Sequence, residues 1–225
     1  MKKKVLSLCL VLALLALAVA GATLAYFTDT DEATNTFTVG NVEIDLIESN
    51  IHRATTGADD DTIKADAETY VEAVENILPG QWIPKAPYVV NTGANDAYVR
   101  VRVVFEKAEV ETLYFMETTT AIESGEIVKS VAWKDAEGNV ISTTDVYADR
   151  PADYATVEYT YTYAEPIAAG AMTNNAPFWQ YCLKNGLDED AFANLNAGDI
   201  KVYADAIQAE TFADAAAAFA AFDAQ

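Results

Sequence analysis

Along much of the chain apolar and polar residues alternate with a period of two, the mark of strands with one buried and one wet face. The clearest run sets Ala97, Val99, Val101, Val103 and Phe105 on one face and Tyr98, Arg100 and Arg102 on the other. A second sets Ala155, Val157, Tyr159, Tyr161 and Tyr163 against Thr156, Glu158, Thr160 and Thr162. Nearer the start, Phe37 and Val39 share one parity and Val42, Ile44 and Leu46 the other, with the phase changing at Gly40, where positive φ permits a bulge. Residues 113–116 read as a further strand. Residues 128–133 and Val140-Ile141 read as a hairpin across Asp135-Ala136-Glu137-Gly138. Ile200-Lys201-Val202-Tyr203-Ala204 returns as a strand that ends at Ala206-Ile207-Gln208-Ala209.

Other stretches break the alternation. Residues 49–67 are polar, carry Gly57 and Asp59-Asp60-Asp61, and read as a surface insertion. Tyr70, Val71, Val74, Ile77 and Leu78 recur at helical spacing, a short helix or irregular lead-in that becomes extended by Ile77. Pro79, Pro84 and Pro87 then keep the chain extended as far as Tyr88-Val89-Val90, and residues 91–96 form a turn. Residues 177–183 form a dense aromatic group, and Asp188-Glu189-Asp190 sits in a polar stretch with helical character. The chain closes on an alanine-rich helix in which Thr211 and Asp214 have capping-box spacing and Phe212, Phe219 and Phe222 fall near one face; it is too short to span a bilayer and is expected to dock on a sheet. Many short strands with helices confined to insertions and the tail predict an all-β fold with minor helices, a two-sheet antiparallel sandwich.

The N-terminus adds a destination. Met1-Lys2-Lys3-Lys4 precedes an apolar run over residues 5–20 that is shorter than the ~20 residues of a comfortable transmembrane helix. Thr23 and Ala25 occupy the positions a signal peptidase reads, so residues 1–25 are expected to be a signal peptide, cut between Ala25 and Tyr26, with one secreted domain over residues 26–225. Leu78-Pro79-Gly80 begins like a cell-wall sorting signal but is internal. The sequence has 14 basic and 35 acidic residues; the leader removes Lys2, Lys3 and Lys4 and no acid, leaving 11 against 35, a formal charge of −24. Nucleic acid and anionic membrane are therefore poor partners for the mature form. Cys9 lies in the leader, so Cys182 stands alone afterwards, either buried beside Phe178, Trp179, Tyr181 and Leu183 or paired between chains.

The lysine-rich start, the hydrophobic run, Gly21-Ala22-Thr23-Leu24-Ala25-Tyr26-Phe27-Thr28-Asp29 and then Phe37-Thr38-Val39-Gly40-Asn41-Val42 resemble the TasA/camelysin family of secreted proteins. Leu78-Pro79-Gly80 leading to Asn91-Thr92-Gly93 and Ala97-Tyr98-Val99-Arg100-Val101, and Ala206-Ile207-Gln208-Ala209, agree with it. The resemblance implies a jelly-roll sandwich, export through a SipW-type signal peptidase, and self-association into extracellular biofilm-matrix fibres by donor-strand exchange. Residues 26–39 fit the donor. They hold Tyr26, Phe27, Phe37 and Val39, are rich in threonine and lack proline, while Asp29, Asp31 and Glu32 make them too polar to form a core alone.

Catalytic chemistry finds little to work with. A metalloprotease of the His-Glu-x-x-His type needs two imidazoles one helical turn apart, and this chain has one histidine, His52; here the camelysin resemblance, which implies a metalloprotease, and the residues disagree. No Gly-x-Ser-x-Gly elbow accompanies His52, and a Cys182–His52 pair is a formal possibility only. No catalytic, cofactor or metal residue is assigned. Asp59-Asp60-Asp61 reads as a calcium site or a solvated loop, Arg100 and Arg102 as a carboxylate-binding pair or cross-strand ion pairs, and the tyrosines at 159, 161 and 163 as a sugar- or partner-binding ladder or core filling. The expectation is a self-assembling fibre subunit. A monomeric binding or adhesion module is the alternative, and a camelysin-like metalloprotease ranks behind both.

Overall fold

Period-two alternation becomes sheet in the computed structural model, which describes residues 28–32, 42–71, 78–187 and 200–224. The leader with Ala25, the residues Tyr26, Phe27, Phe37 and Val39, the phase change at Gly40, the stretch holding Val74 and Ile77, and Asp188-Glu189-Asp190 lie outside the described residues.

The first strands in chain order are β1 (Thr28–Glu32), β2 (Ile44–Ser49), β3 (Trp82–Pro84), β4 (Ala86–Asn91), β5 (Ala97–Glu106) and β6 (Leu113–Glu117). There follow β7 (Ile127–Lys134), β8 (Val140–Ser142), β9 (Thr156–Tyr163), β10 (Phe178–Leu183) and β11 (Lys201–Gln208). They form a six-stranded sheet in the order β1-β11-β5-β9-β7-β8, a three-stranded sheet β3-β10-β6 and a two-stranded sheet β2-β4, all antiparallel. The inner face of the large sheet supplies Val99, Val101, Val103, Trp133, Val157, Tyr161 and Ala204 to one core; Ile44, Val89, Leu113, Phe178 and Leu183 meet them from the smaller sheets. This is the sandwich that the alternation predicts. Tyr161 and Tyr163 are buried in it, their hydroxyls donating to Glu117 Oε1 (2.5 Å) and the Asn175 carbonyl (2.6 Å), so at these positions the ladder fills the core.

Helices occupy the connections. The polar insertion is more ordered than a loop: α1 (Arg53–Thr56) and α2 (Asp60–Ala67) lie within it, and Ile63 is fully buried against Ala86 and Tyr88. Asp59 caps α2 by accepting the Thr62 amide at 2.9 Å, with Asp60 and Asp61 in the first turn, where negative charge favours a helix start. Two short helices, α3 (Lys107–Thr112) and α4 (Thr119–Glu123), flank β6 and have no counterpart in the alternation. The aromatic group at 177–183 is itself a strand, β10. At the tail, α5 (Ala215–Phe222) starts one turn later than the Thr211 capping box predicts, because Asp214 is itself the cap and accepts the Ala217 amide at 2.8 Å. Its Ala215, Ala218 and Phe219 pack on Tyr98 and Ile207, on the outer face of the large sheet.

Candidate assembly edge

β1 closes one end of the large sheet. It runs antiparallel to β11 with Thr28 opposite Ile207, Thr30 opposite Asp205 and Glu32 opposite Tyr203. Its sequence, Thr-Asp-Thr-Asp-Glu, contains no apolar residue. It pairs with β11 along all five residues, and its sequence brings no apolar residue to that pairing. β11 beneath it is built differently. Val202, Ala204 and Ala206 face the core, and Tyr203, Asp205 and Ile207 face out, so the strand is fixed by packing whether or not β1 is present.

The outer face of β11 carries an ion cluster. Asp205 has no exposed surface and accepts from Arg100 Nε (2.7 Å) and from Arg102 through Nε (2.7 Å) and Nη2 (3.1 Å). Arg100 also forks onto both oxygens of Asp223, just past α5, at 2.9 and 2.7 Å, and its guanidinium lies over the rings of Phe219 (4.6 Å) and Phe222 (5.1 Å). Burial opposes the charge on both arginines, yet the hydrogen-bonded carboxylates outweigh it and hold both guanidiniums above their ordinary range. The Arg100 hydrogen bonds, working against burial, pull Asp223 below the usual carboxylate range. Arg100 and Arg102 are thus cross-strand partners of the chain's own acids. Asp205 is the residue that sequence reasoning misses: its outward parity in β11 is visible, but that it stands opposite Arg100 is known only from the strand pairing.

The remaining candidates are engaged locally. His52 is buried, stacks on Trp179 with ring centroids 5.0 Å apart, and lies 3.0 Å through Nε2 from Thr118 Oγ1. Thr118 Oγ1 donates to the Ala176 carbonyl at 2.6 Å, which makes His52 Nε2 the donor to it. Cys182 is a buried thiol.

A family model described as camelysin metallo-endopeptidase matches residues 1–158. No curated protein and no solved structure matches the chain at a level that shows kinship. The metal in that description meets an ill-suited set of residues: the single histidine is held by Thr118 and Trp179, and among the described residues no three His, Cys, Asp or Glu side chains are grouped to hold an ion. Among the described residues no helix is long and apolar enough to cross a membrane.

Proposed function

The chain belongs to the camelysin metallo-endopeptidase family, which includes TasA, and from that premise we propose that it is an exported structural subunit that polymerises head to tail into extracellular biofilm-matrix fibres by exchanging its N-terminal strand. The observation that carries this reading is β1: an entirely polar strand, at the end of a sheet, paired to a β11 that packing holds independently. Moving such a strand from its own β11 to a neighbour's conserves every backbone hydrogen bond and uncovers no apolar side chain of its own. Each subunit gives one strand and takes one, so the contact is heterologous and does not close.

In this scheme a SipW-type peptidase cuts between Ala25 and Tyr26, which frees the strand to move; the assembly segment holds Tyr26, Phe27, Phe37 and Val39, with Phe27 and Phe37 as its apolar anchors. The scheme needs no catalytic residue, metal or cofactor. Mature protein beginning at Tyr26 is expected to form fibres visible by electron microscopy. Deleting residues 26–36, or blocking Tyr26 with a bulky tag, is expected to leave a monomer with an unchanged circular dichroism spectrum and no fibres. Fibres that persist after both changes refute the scheme.

A further inference from the structure

The sandwich has an open side. β6 ends the three-stranded sheet, and β7, β8 and the loop after them end the large one. Between them lies a cleft of about 260 Å³, smaller than the roughly 300–1,000 Å³ of drug-sized sites and suited to about one sugar ring. Its floor is aromatic: the Phe105 ring meets Phe115 edge-on at 5.1 Å and Tyr159 at 6.0 Å. At its mouth Tyr114 and Tyr147 keep 56% and 45% of their surface exposed, and Lys184 Nζ braces both rings, 5.3 and 5.5 Å from their centres. That ammonium is itself fixed by donation to the carbonyls of Val110 (3.0 Å) and Glu111 (2.9 Å). One wall is an ion triplet, with Lys129 Nζ 2.8 Å from Glu117 and 2.7 Å from Asp145.

We propose that this cleft binds a neutral saccharide. Positioned acceptors (Glu117, Asp145) and a donor (Lys129) stand beside exposed tyrosine rings, and a sugar presents hydroxyls that both donate and accept around an apolar ring face. Charge sets the choice of ligand. Lys129 already engages the carboxylates of Glu117 and Asp145 that a cation would need, the acidic molecule repels an anion, and a neutral polyol meets neither penalty. Burial first, then Glu117 and Asp145, raise the Tyr159 hydroxyl, so it stays protonated as a further donor. The cleft lies at the opposite end of the large sheet from β1, so the inference does not rest on the assembly scheme.

The test is an NMR titration of isotope-labelled mature protein with maltotetraose, cellotetraose and chitotetraose, with trigalacturonate and an uncharged tetrapeptide as comparators. The expected result is a saturable shift of Tyr114, Tyr147 and Lys129 signals with at least one neutral tetraose, with β11 signals unmoved. Tyr114→Ala and Asp145→Ala, both at exposed side chains, are expected to weaken it by about tenfold each without changing the fold. The proposal is overturned if no neutral tetraose moves these signals, if only the peptide or the anion does, or if the shifts survive both substitutions.

Discussion

Asp205 and His52 are both buried polar side chains, one met by two cations and the other by an aromatic ring and a hydroxyl. Asp205 has no exposed surface, and the guanidiniums of Arg100 and Arg102 converge on its carboxylate. Asp205→Ala is expected to lower the unfolding free energy in urea by about 3 kcal/mol, since it strands buried positive charge that Asp223 and Glu158 only partly offset. His52 must be neutral. Burial depresses its pKa below the ordinary 6.5, and its inward Nδ1 has no hydrogen-bond partner to receive a proton's N–H. Between the folded pKa and 6.5 the unfolded chain binds more protons than the folded one, so this contribution to stability is complete above pH 6.5 and is lost as the pH falls towards the folded value. Urea midpoints measured from pH 7.5 down to about pH 5 are expected to fall more steeply for the parent than for His52→Gln, which keeps a donor for Thr118 but cannot take up the proton.

Elements with a strong period were legible in the sequence, and short or pairing-dependent ones were not. β5 and β9 could be read directly because apolar side chains on one face must meet a core. α3 and α4, six and five residues long, carry too few turns to show a helical period. β1 has no hydrophobic pattern at all; its threonines and lack of proline, together with the family resemblance, and not alternation, make it readable as a strand. The tail helix was legible in kind and displaced in its start, because Thr211 and Asp214 both resemble caps and only the backbone decides between them. Asp214→Ala is expected to cost about 1 kcal/mol, measured as a shift in the urea midpoint, whereas Thr211→Ala is expected to change it little. The tyrosine ladder divides in the same way: Tyr161 and Tyr163 fill the core, while Tyr159 lies at the floor of the cleft, a split that depends on where the second sheet ends.

At the scale of the whole molecule, the chain carries a formal charge of −21, and in the proposed scheme the subunit cut before Tyr26 would carry −24, a charge that opposes stacking. That repulsion is screened over about 8–10 Å at ordinary salt and weakens as carboxylates protonate. Fibre growth followed by light scattering is therefore expected to show a shorter lag as salt rises and at moderately acid pH; an unchanged lag would mean that something other than self-repulsion limits it. The central claim is that β1 of one subunit lies on β11 of the next. Glu32 and Tyr203 face each other in the register, so two single variants, Glu32→Cys and Tyr203→Cys, can report where the strand sits. Fibres grown from a mixture of the two and then oxidised are predicted to yield a covalent dimer on a non-reducing denaturing gel that fibres of either variant alone do not yield, since only the mixture can join position 32 of one chain to position 203 of another. Fibres that assemble from the mixture yet release only monomers would contradict the account.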